Sequence, residues 1–142
     1  MMKEFKSKVG YGILIPVLVL LVGIMLIPTI KGAPIGATLT MASIILPTIA
    51  FTLHIFFKTT YRISDSNQLL IKCGFIVNSA VDISKIKSIS RTRNPISSPA
   101  PSMDRIELKY GKWDSVIISP NDKKEFVNAL LEINPNIQSN LK

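Results

Sequence analysis

Two long uncharged stretches, separated by a single lysine, constrain this chain more than any other feature. No charged residue occurs in the 22 residues between Lys8 and Lys31, or in the 26 residues between Lys31 and Lys58. A helix rises about 1.5 Å per residue, so about 20 residues cross a hydrocarbon core of roughly 30 Å. The sequence therefore predicts two transmembrane helices, at about 9–30 and 35–57, joined by a tight turn at Lys31.

The composition of the two stretches supports this prediction. The first is apolar on every helical face, whereas a soluble amphipathic helix carries a polar stripe. The second contains hydroxyl side chains, which can bond back to helix carbonyls and allow two helices to pack closely. A secretory signal peptide is the alternative for residues 1–37, but its apolar core is only roughly 7–15 residues long. We therefore expect an uncleaved helical hairpin.

Basic residues gather at the two outer ends of this helical hairpin. Three lysines precede the first stretch, and Lys58 and Arg62 follow the second, whereas the turn contains only Lys31. The positive-inside rule then places both ends in the cytoplasm. The single Cys73 agrees with a reducing compartment. The sequence predicts a multi-pass protein of the cell (plasma) membrane with both termini and the soluble domain cytoplasmic.

Residues 59–142 hold twenty of the 26 charged residues and have the composition of a small soluble domain. Short apolar runs alternate with turn residues, and Arg105–Tyr110 and Asp114–Ile118 form an evident β-hairpin. The periodicity becomes helical after Ser119-Pro120, which we expect to cap and start a helix of about 13 residues. The predicted fold class is α+β, a bent antiparallel β-sheet or barrel with one C-terminal helix.

A series of short motifs in this part resembles a known family. The motifs, in order, are Tyr61-Arg62-Ile63, Leu69 to Gly74, Ile83 to Ser88, Arg93 to Ala100, Ser102 to Gly111, Ile118-Ser119-Pro120 with Phe126, and Asn134-Pro135. Together they are similar to the YyaB-like PH domain, a bacterial PH-like family. The resemblance covers about residues 59–137 and implies a PH-like fold without catalytic residues. The predicted divisions are a transmembrane hairpin at 1–58, a PH-like domain at 59–137 and a tail at 138–142.

Patterns that carry catalysis or bind metal are missing from the sequence. His54 is the single histidine and lies in the second apolar stretch, so the soluble part cannot assemble a Ser-His-Asp or Cys-His arrangement. Cys73 lies on a predicted strand and is expected to pack as a small apolar side chain. Asp104 and Arg105 are expected to have structural roles, the aspartate at the start of a strand and the arginine as a cap or local pairing group. We therefore expect no enzyme activity, no metal and no cofactor.

A basic cluster in the soluble part is the candidate interaction surface. It comprises Lys87, Arg91, Arg93 and Arg105, with Trp113 beside a neighbouring hairpin turn. Trp113 is either an interface anchor at the hairpin tip or a half-buried strand residue. Lys87, Arg91 and Arg93 fall on one face of a predicted strand, where each could attract anionic lipid by about 1 kcal/mol. A solvated surface with no specific ligand is the competing interpretation. Twelve basic against eight acidic residues, with no aromatic residue on the basic strand, disfavour nucleic acid.

The function predicted on these grounds is a non-enzymatic membrane protein that presents its PH-like domain as a protein-interaction module, with contact to anionic lipid left open. Its partners would be the bilayer and an unidentified protein, and a homo-oligomer stays open. Two alternatives also stay open: protection against bacteriocins or membrane stress, and an oligomeric transport or sensing component. The Pro/Ser-rich loop at 94–102 is either a binding loop or a buried connector.

Overall fold

The computed structural model describes residues 2–95 and 100–141 and consists of two long helices and a β-rich domain. The elements, in chain order, are β1 Lys3–Lys6, α1 Tyr11–Ile30, α2 Ile35–Phe57, β2 Thr59–Ile63, β3 Gln68–Cys73, β4 Val77–Asp82, a 3₁₀ turn Ile83–Lys85, β5 Ile86–Thr92, β6 Arg105–Tyr110, β7 Asp114–Ile118, α3 Lys123–Ile133 and β8 Gln138–Asn140. The predicted helical hairpin, the β6–β7 hairpin and the C-terminal helix are thus present.

Helices α1 and α2 are long and apolar enough to cross a membrane. Leu14 in α1 and Ile45 in α2 are buried, whereas most other side chains of the two helices are accessible. The hydroxyls of Thr29 and Thr38 meet across the helical hairpin at 3.3 Å. The other hydroxyls of α2 donate to backbone carbonyls of their own helix, which satisfies them without water: Thr40, Ser43, Thr48 and Thr52.

The β-rich domain contains two four-stranded sheets. The first has the order β1-β2-β3-β4 and the second β7-β6-β5-β8; within them all neighbours are antiparallel except β5 and β8. Strand β1 precedes α1, yet it pairs with β2 after α2, with Phe5 opposite Tyr61. The sheet therefore begins before the helical hairpin and resumes directly after it.

The sequence did not predict β1 or β8. Strand β1 is only four residues long and precedes a long apolar stretch, so nothing local marks it as a strand. Strand β8, Gln138–Asn140, lies in the region predicted as a tail, and its three polar residues are exposed. Both strands depend on partners far away in the chain, which local patterns cannot show.

A single core lies between the two sheets and α3. Phe126 and Leu130 of α3 are fully buried, together with Tyr61 and most apolar residues of β3, β5 and β6: Leu69, Ile71, Ile89, Ile106 and Leu108. The ring of Phe5 packs edge-on against Phe126, with centroids 5.2 Å apart. The short strand β1 therefore contributes to the core as well as to the first sheet.

The predicted start of the last helix is wrong. Helix α3 begins at Lys123, and the Asp122 side chain caps it by accepting a hydrogen bond of 3.0 Å from the Glu125 backbone N–H. Ser119 instead uses its backbone and hydroxyl groups to bind the segment after β1. The predicted end is correct, since Asn134 follows the helix and donates to the carbonyls of Ile83, Ser84 and Ile86.

Candidate functional site

The segment from Ser7 to Gly10, which we call the entry junction, connects β1 to α1 and touches both sheets. Its Ser7 backbone N–H donates to the Thr59 carbonyl at 3.0 Å, at the start of β2. Its Lys8 N–H donates to the Ser119 carbonyl at 2.7 Å, just after β7. The chain is therefore fixed to both sheets immediately before α1 begins.

A buried hydroxyl network reinforces the entry junction. The Tyr61 hydroxyl donates to Ser7 Oγ at 3.2 Å and accepts a hydrogen bond of 3.1 Å from the Ser119 backbone N–H. Ser7 Oγ also lies 3.0 Å from Ser119 Oγ. Burial raises the pKa of Tyr61, so the phenol stays neutral and keeps its proton for this network.

Gly10, the last residue of the entry junction, lies against the Pro/Ser-rich loop. A Cβ at this position would be 2.5 Å from the Pro101 carbonyl oxygen and 2.8 Å from Ser102 Cα. Pro101 and Ser102 are themselves buried, together with Ala100. The described end of the loop is therefore a packed connector against the first helix; residues 96–99 lie outside the described residues.

Asp104 collects three basic side chains from different parts of the chain, which we call the Asp104 cluster. Its carboxylate lies 3.1 Å from Lys8 Nζ and 3.3 Å from a terminal nitrogen of Arg91, and it also accepts a hydrogen bond from Lys123. The Lys123 hydrogen bond, with that of Lys8, lowers the pKa of Asp104 to about 2. The cluster joins the entry junction to the second sheet and α3.

The structure does not bring the residues of the predicted interaction surface together. Lys87 and Trp113 line one shallow cleft of about 400 Å³, and the Trp113 side chain is 90% exposed at the β6–β7 turn. Arg91 lies in the Asp104 cluster, four residues further along β5 and thus about 13 Å away. Arg93 is exposed just beyond β5. Arg105 is buried, and its guanidinium donates to the backbone carbonyls of Ser102 and Asn94 at 2.7 and 2.9 Å.

The segment from His54 to Thr59, which we call the exit junction, connects α2 to β2 and is more open. The His54 ring stacks on Phe75 with centroids 4.2 Å apart. Gly74, which has a φ of +54°, donates its N–H to the Lys58 carbonyl at 3.2 Å. The β3–β4 turn therefore lies beside the last turn of α2, and Phe75 is 84% exposed there.

Three lysines surround the exit junction; we call them the lysine row. In the first sheet Lys6 lies opposite Thr60, which in turn lies opposite Lys72. Lys58 follows the end of α2 and lines the same cleft of about 390 Å³. Among the described residues, none of the three lysines forms an ion pair. The sequence did not reveal this row, because Lys6 joins it only through the unpredicted β1.

Groups able to hold a metal ion are missing from residues 2–95 and 100–141, where no three His, Cys, Asp or Glu side chains converge. Cys73 is a buried free thiol and accepts a hydrogen bond of 3.2 Å from the Thr59 hydroxyl.

Comparison with protein-family models identifies residues 59–134 as a bacterial PH domain. The chain belongs to the bacterial PH domain family. The match covers the part in which the motif order suggested a PH-like domain, and the predicted PH-like fold is thereby confirmed. The narrower YyaB-like assignment remains a prediction.

Other comparisons add little to this assignment. No curated protein matches the chain. A chain from "Structure of the Spt16D Pob3N heterodimer" is similar in structure, with a TM-score of 0.42 and 10% sequence identity. The match covers 59% of this chain and 45% of that chain. The family match therefore supports the fold assignment for this member of the bacterial PH domain family.

Proposed function

We propose that this protein is a non-enzymatic integral membrane protein whose helical hairpin holds the PH-like domain at the cytoplasmic leaflet, where the domain binds a protein partner. The observation that carries the proposal is the pairing of β1 with β2 on either side of the helical hairpin. Since both strands belong to one sheet, α1 must leave the domain and α2 must return to it. Two crossings of the membrane meet that requirement.

The same pairing supports close contact between the domain and the bilayer. Lys58 alone separates the end of α2 from the start of β2. The entry junction is four residues long and is hydrogen-bonded to both sheets. A domain without a flexible linker on either side keeps a fixed face toward the membrane and a fixed face toward the cytoplasm.

Charge supports the cytoplasmic side. Basic residues gather at the domain end of the helical hairpin, whereas the turn between α1 and α2 contains Lys31 alone. The positive-inside rule then favours a cytoplasmic domain. Phe57 and Phe75, both exposed at the domain end, fit the interfacial zone of a bilayer.

Trp113 and Lys87 form one exposed part of the candidate interaction surface. The Trp113 indole is 90% exposed, whereas tryptophan is highly buried on average. Tryptophan is also enriched among the residues that dominate binding energy in protein interfaces. Three lysines and two acids line the same cleft and leave it with a net basic charge: Lys87, Lys109, Lys112, Glu107 and Asp114. The proposed partner surface therefore has an apolar centre and a complementary acidic rim.

Single-cysteine labelling tests the membrane arrangement. In a Cys73→Ala background, Ala33→Cys places a thiol in the helical turn and Asn128→Cys places one on the exposed face of α3. An impermeant maleimide added to intact cells should label the first, and the second only after permeabilisation. The reverse pattern would invert the orientation. Equal labelling of both in intact cells would contradict the two-span hairpin.

Crosslinking in cells followed by affinity capture of the full-length chain tests the partner. We expect a stoichiometric protein that is lost with Trp113→Ala and retained with Phe75→Ala, which removes a similarly exposed aromatic ring at the exit junction. Recovery of lipid and the protein itself alone would defeat the interaction-module proposal. A partner indifferent to Trp113 would move the interface elsewhere on the domain.

A further inference from the structure

Resting on the proposed membrane arrangement, we propose that the lysine row forms a binding site for the headgroup of an anionic phospholipid in the cytoplasmic leaflet. The site is the cleft at the exit junction, on the outer face of the first sheet. Its ligand is the phosphodiester of a lipid that remains in the bilayer, and Lys6, Lys58 and Lys72 supply the charge.

Strand register places the lysines at one level of the sheet. Lys6 on β1 and Lys72 on β3 flank Thr60 on β2, in the row next to the end of α2. Adjacent strands lie about 4.8 Å apart, so the two lysine backbones are about 10 Å apart. Long, flexible side chains from both sides can therefore converge on one phosphate above the Thr60 hydroxyl.

The charge of the cleft is unbalanced. Four basic side chains line it, and its one acid, Glu4, accepts hydrogen bonds of 2.9 Å from the guanidinium of Arg62. Arg62 and Glu4 thus neutralise each other. The three lysines lack such a partner among the described residues, which leaves three positive charges beside the helix end.

Apolar groups border the cleft on its membrane side. Phe57 ends α2, and Phe75 and Ile76 are 84% and 62% exposed in the β3–β4 turn. The stacking of Phe75 on His54 places this turn at the depth where α2 ends. In a bilayer, the lipid phosphates lie directly beside the acyl chains. The lysines of the lysine row and the neighbouring apolar side chains have the same arrangement. A soluble phosphate has no apolar part that could contact the apolar side chains at the border of the cleft. The site therefore favours a lipid.

Lipid retention by the full-length protein in detergent micelles tests the site. The delipidated protein is titrated with phosphatidylglycerol or phosphatidylcholine, and native mass spectrometry counts the lipids bound. We expect preferential retention of phosphatidylglycerol by the unmodified chain. Replacing all three of Lys6, Lys58 and Lys72 by glutamine should reduce the affinity for phosphatidylglycerol, by about fivefold for each lysine. Inorganic phosphate at millimolar concentration should not displace the lipid.

A matched control removes the same charge elsewhere. Lys87, Lys109 and Lys112 are exposed and line the cleft beside Trp113, so their triple glutamine variant should retain phosphatidylglycerol as the unmodified chain does. An equal loss of phosphatidylglycerol retention in both triple variants would show that overall positive charge, and not a specific site, holds the lipid. Absence of any preference in the unmodified chain, or displacement by inorganic phosphate, would also overturn the proposed site.

The test separates this inference from the proposed function. Integration into membranes and thiol labelling of the helical turn are measured on the same variants. A chain that inserts with the expected orientation but shows no headgroup preference refutes the site alone. A chain that does not span the membrane refutes the proposed function, and the headgroup site with it. All six lysines are exposed, so thermal unfolding of both variants should match that of the unmodified protein.

Discussion

The two junctions between the helical hairpin and the domain differ in how they are built. At the entry junction, Gly10 packs against loop backbone, Tyr61 joins a buried hydroxyl network, and Asp104 binds three basic side chains. At the exit junction, Phe75 is exposed and the three lysines of the lysine row have no acidic partner in the described chain. The polar and charged groups of the entry junction find partners within the fold, whereas the lysine row beside the exit junction is exposed.

The comparison shows that basic residues beside the same pair of apolar helices can have different roles. Lys8 and Arg91 contribute to folding because a carboxylate from another element meets them. Lys6 is two residues from Lys8, yet it lies on the outer face of the first sheet and forms no ion pair with any residue that the structure describes. Basic side chains that lack an acidic partner in the folded structure are better evidence for a ligand than the number of basic residues in the sequence. Four substitutions test whether the junctions differ as described.

Gly10→Ala should have the largest effect. The added Cβ would lie 2.5 Å from a carbonyl oxygen and 2.8 Å from a Cα of the buried loop, and neither backbone atom can move freely. We expect a loss of about 1–3 kcal/mol in the free energy of unfolding, measured in detergent micelles by circular dichroism.

Gly12→Ala is the matched control for this substitution. Gly12 lies two residues further along, in the first turn of α1, and a Cβ there meets nothing within 4 Å. Because alanine favours the helix over glycine by roughly 0.5–1 kcal/mol, this variant should be neutral or slightly stabilised. Equal losses in both variants would show that the entry junction is not tightly packed.

Tyr61→Phe should cost about 1–2 kcal/mol in the same measurement. The substitution keeps the ring in the core but leaves the Ser119 N–H and the Ser7 hydroxyl without the Tyr61 oxygen. Tyr110→Phe serves as the control, since its hydroxyl has no hydrogen bond within the described residues. If the Tyr61 variant were as stable as the control, the hydroxyl network would not stabilise the entry junction.

Asp104→Asn should cost about 1 kcal/mol at neutral pH, because the carboxylate is 30% exposed and solvent screens part of its interaction. The pKa falls from an ordinary value of 3.8 to about 2, chiefly through Lys123. A lowered pKa stabilises the fold above pH 4, and this contribution disappears as the pH falls from about 4 to about 2.

The measurement for Asp104 is therefore the difference in unfolding free energy between the variant and the unmodified chain as a function of pH. It should be constant above pH 4 and shrink below it. Asp114→Asn, in the exposed β6–β7 hairpin, removes a carboxylate without an ion pair among the described residues and should show no such trend. A loss of unfolding free energy that does not change with pH would show that Asp104 stabilises the fold through packing and not through its charge.

Much of the fold was predictable because its signals are local. The absence of charge over more than 20 residues indicated both long helices, and strict alternation indicated β6. Strand β1 was not predictable, since Lys-Glu-Phe-Lys pairs with a strand more than fifty residues away. Ser119-Pro120 carried a helix-start signal, but its hydrogen bonds with the entry junction displaced the start to Lys123.

The candidate site was less predictable for the same reason. The run from Lys87 to Arg93 was visible as a basic cluster, but its meaning depended on Asp104, which reaches Arg91 only in the folded sheet. The lysine row is assembled from three separate segments, and no local pattern connects Lys6 with Lys72. Trp113 was visible as a hairpin-tip residue because a turn signal preceded it, and its exposure agrees with that position.

Phe75→Ala should have the smallest effect and addresses the open junction directly. The ring stacks on His54, but it is 84% exposed, so its removal should cost about 0.5 kcal/mol or less. Its consequence should appear in lipid contact instead: phosphatidylglycerol retention should fall with Phe75→Ala and not with Trp113→Ala, which removes a ring of similar exposure. A loss of stability as large as that of Gly10→Ala would mean that both junctions are packed alike. The contrast between a closed entry and an open exit would then fail.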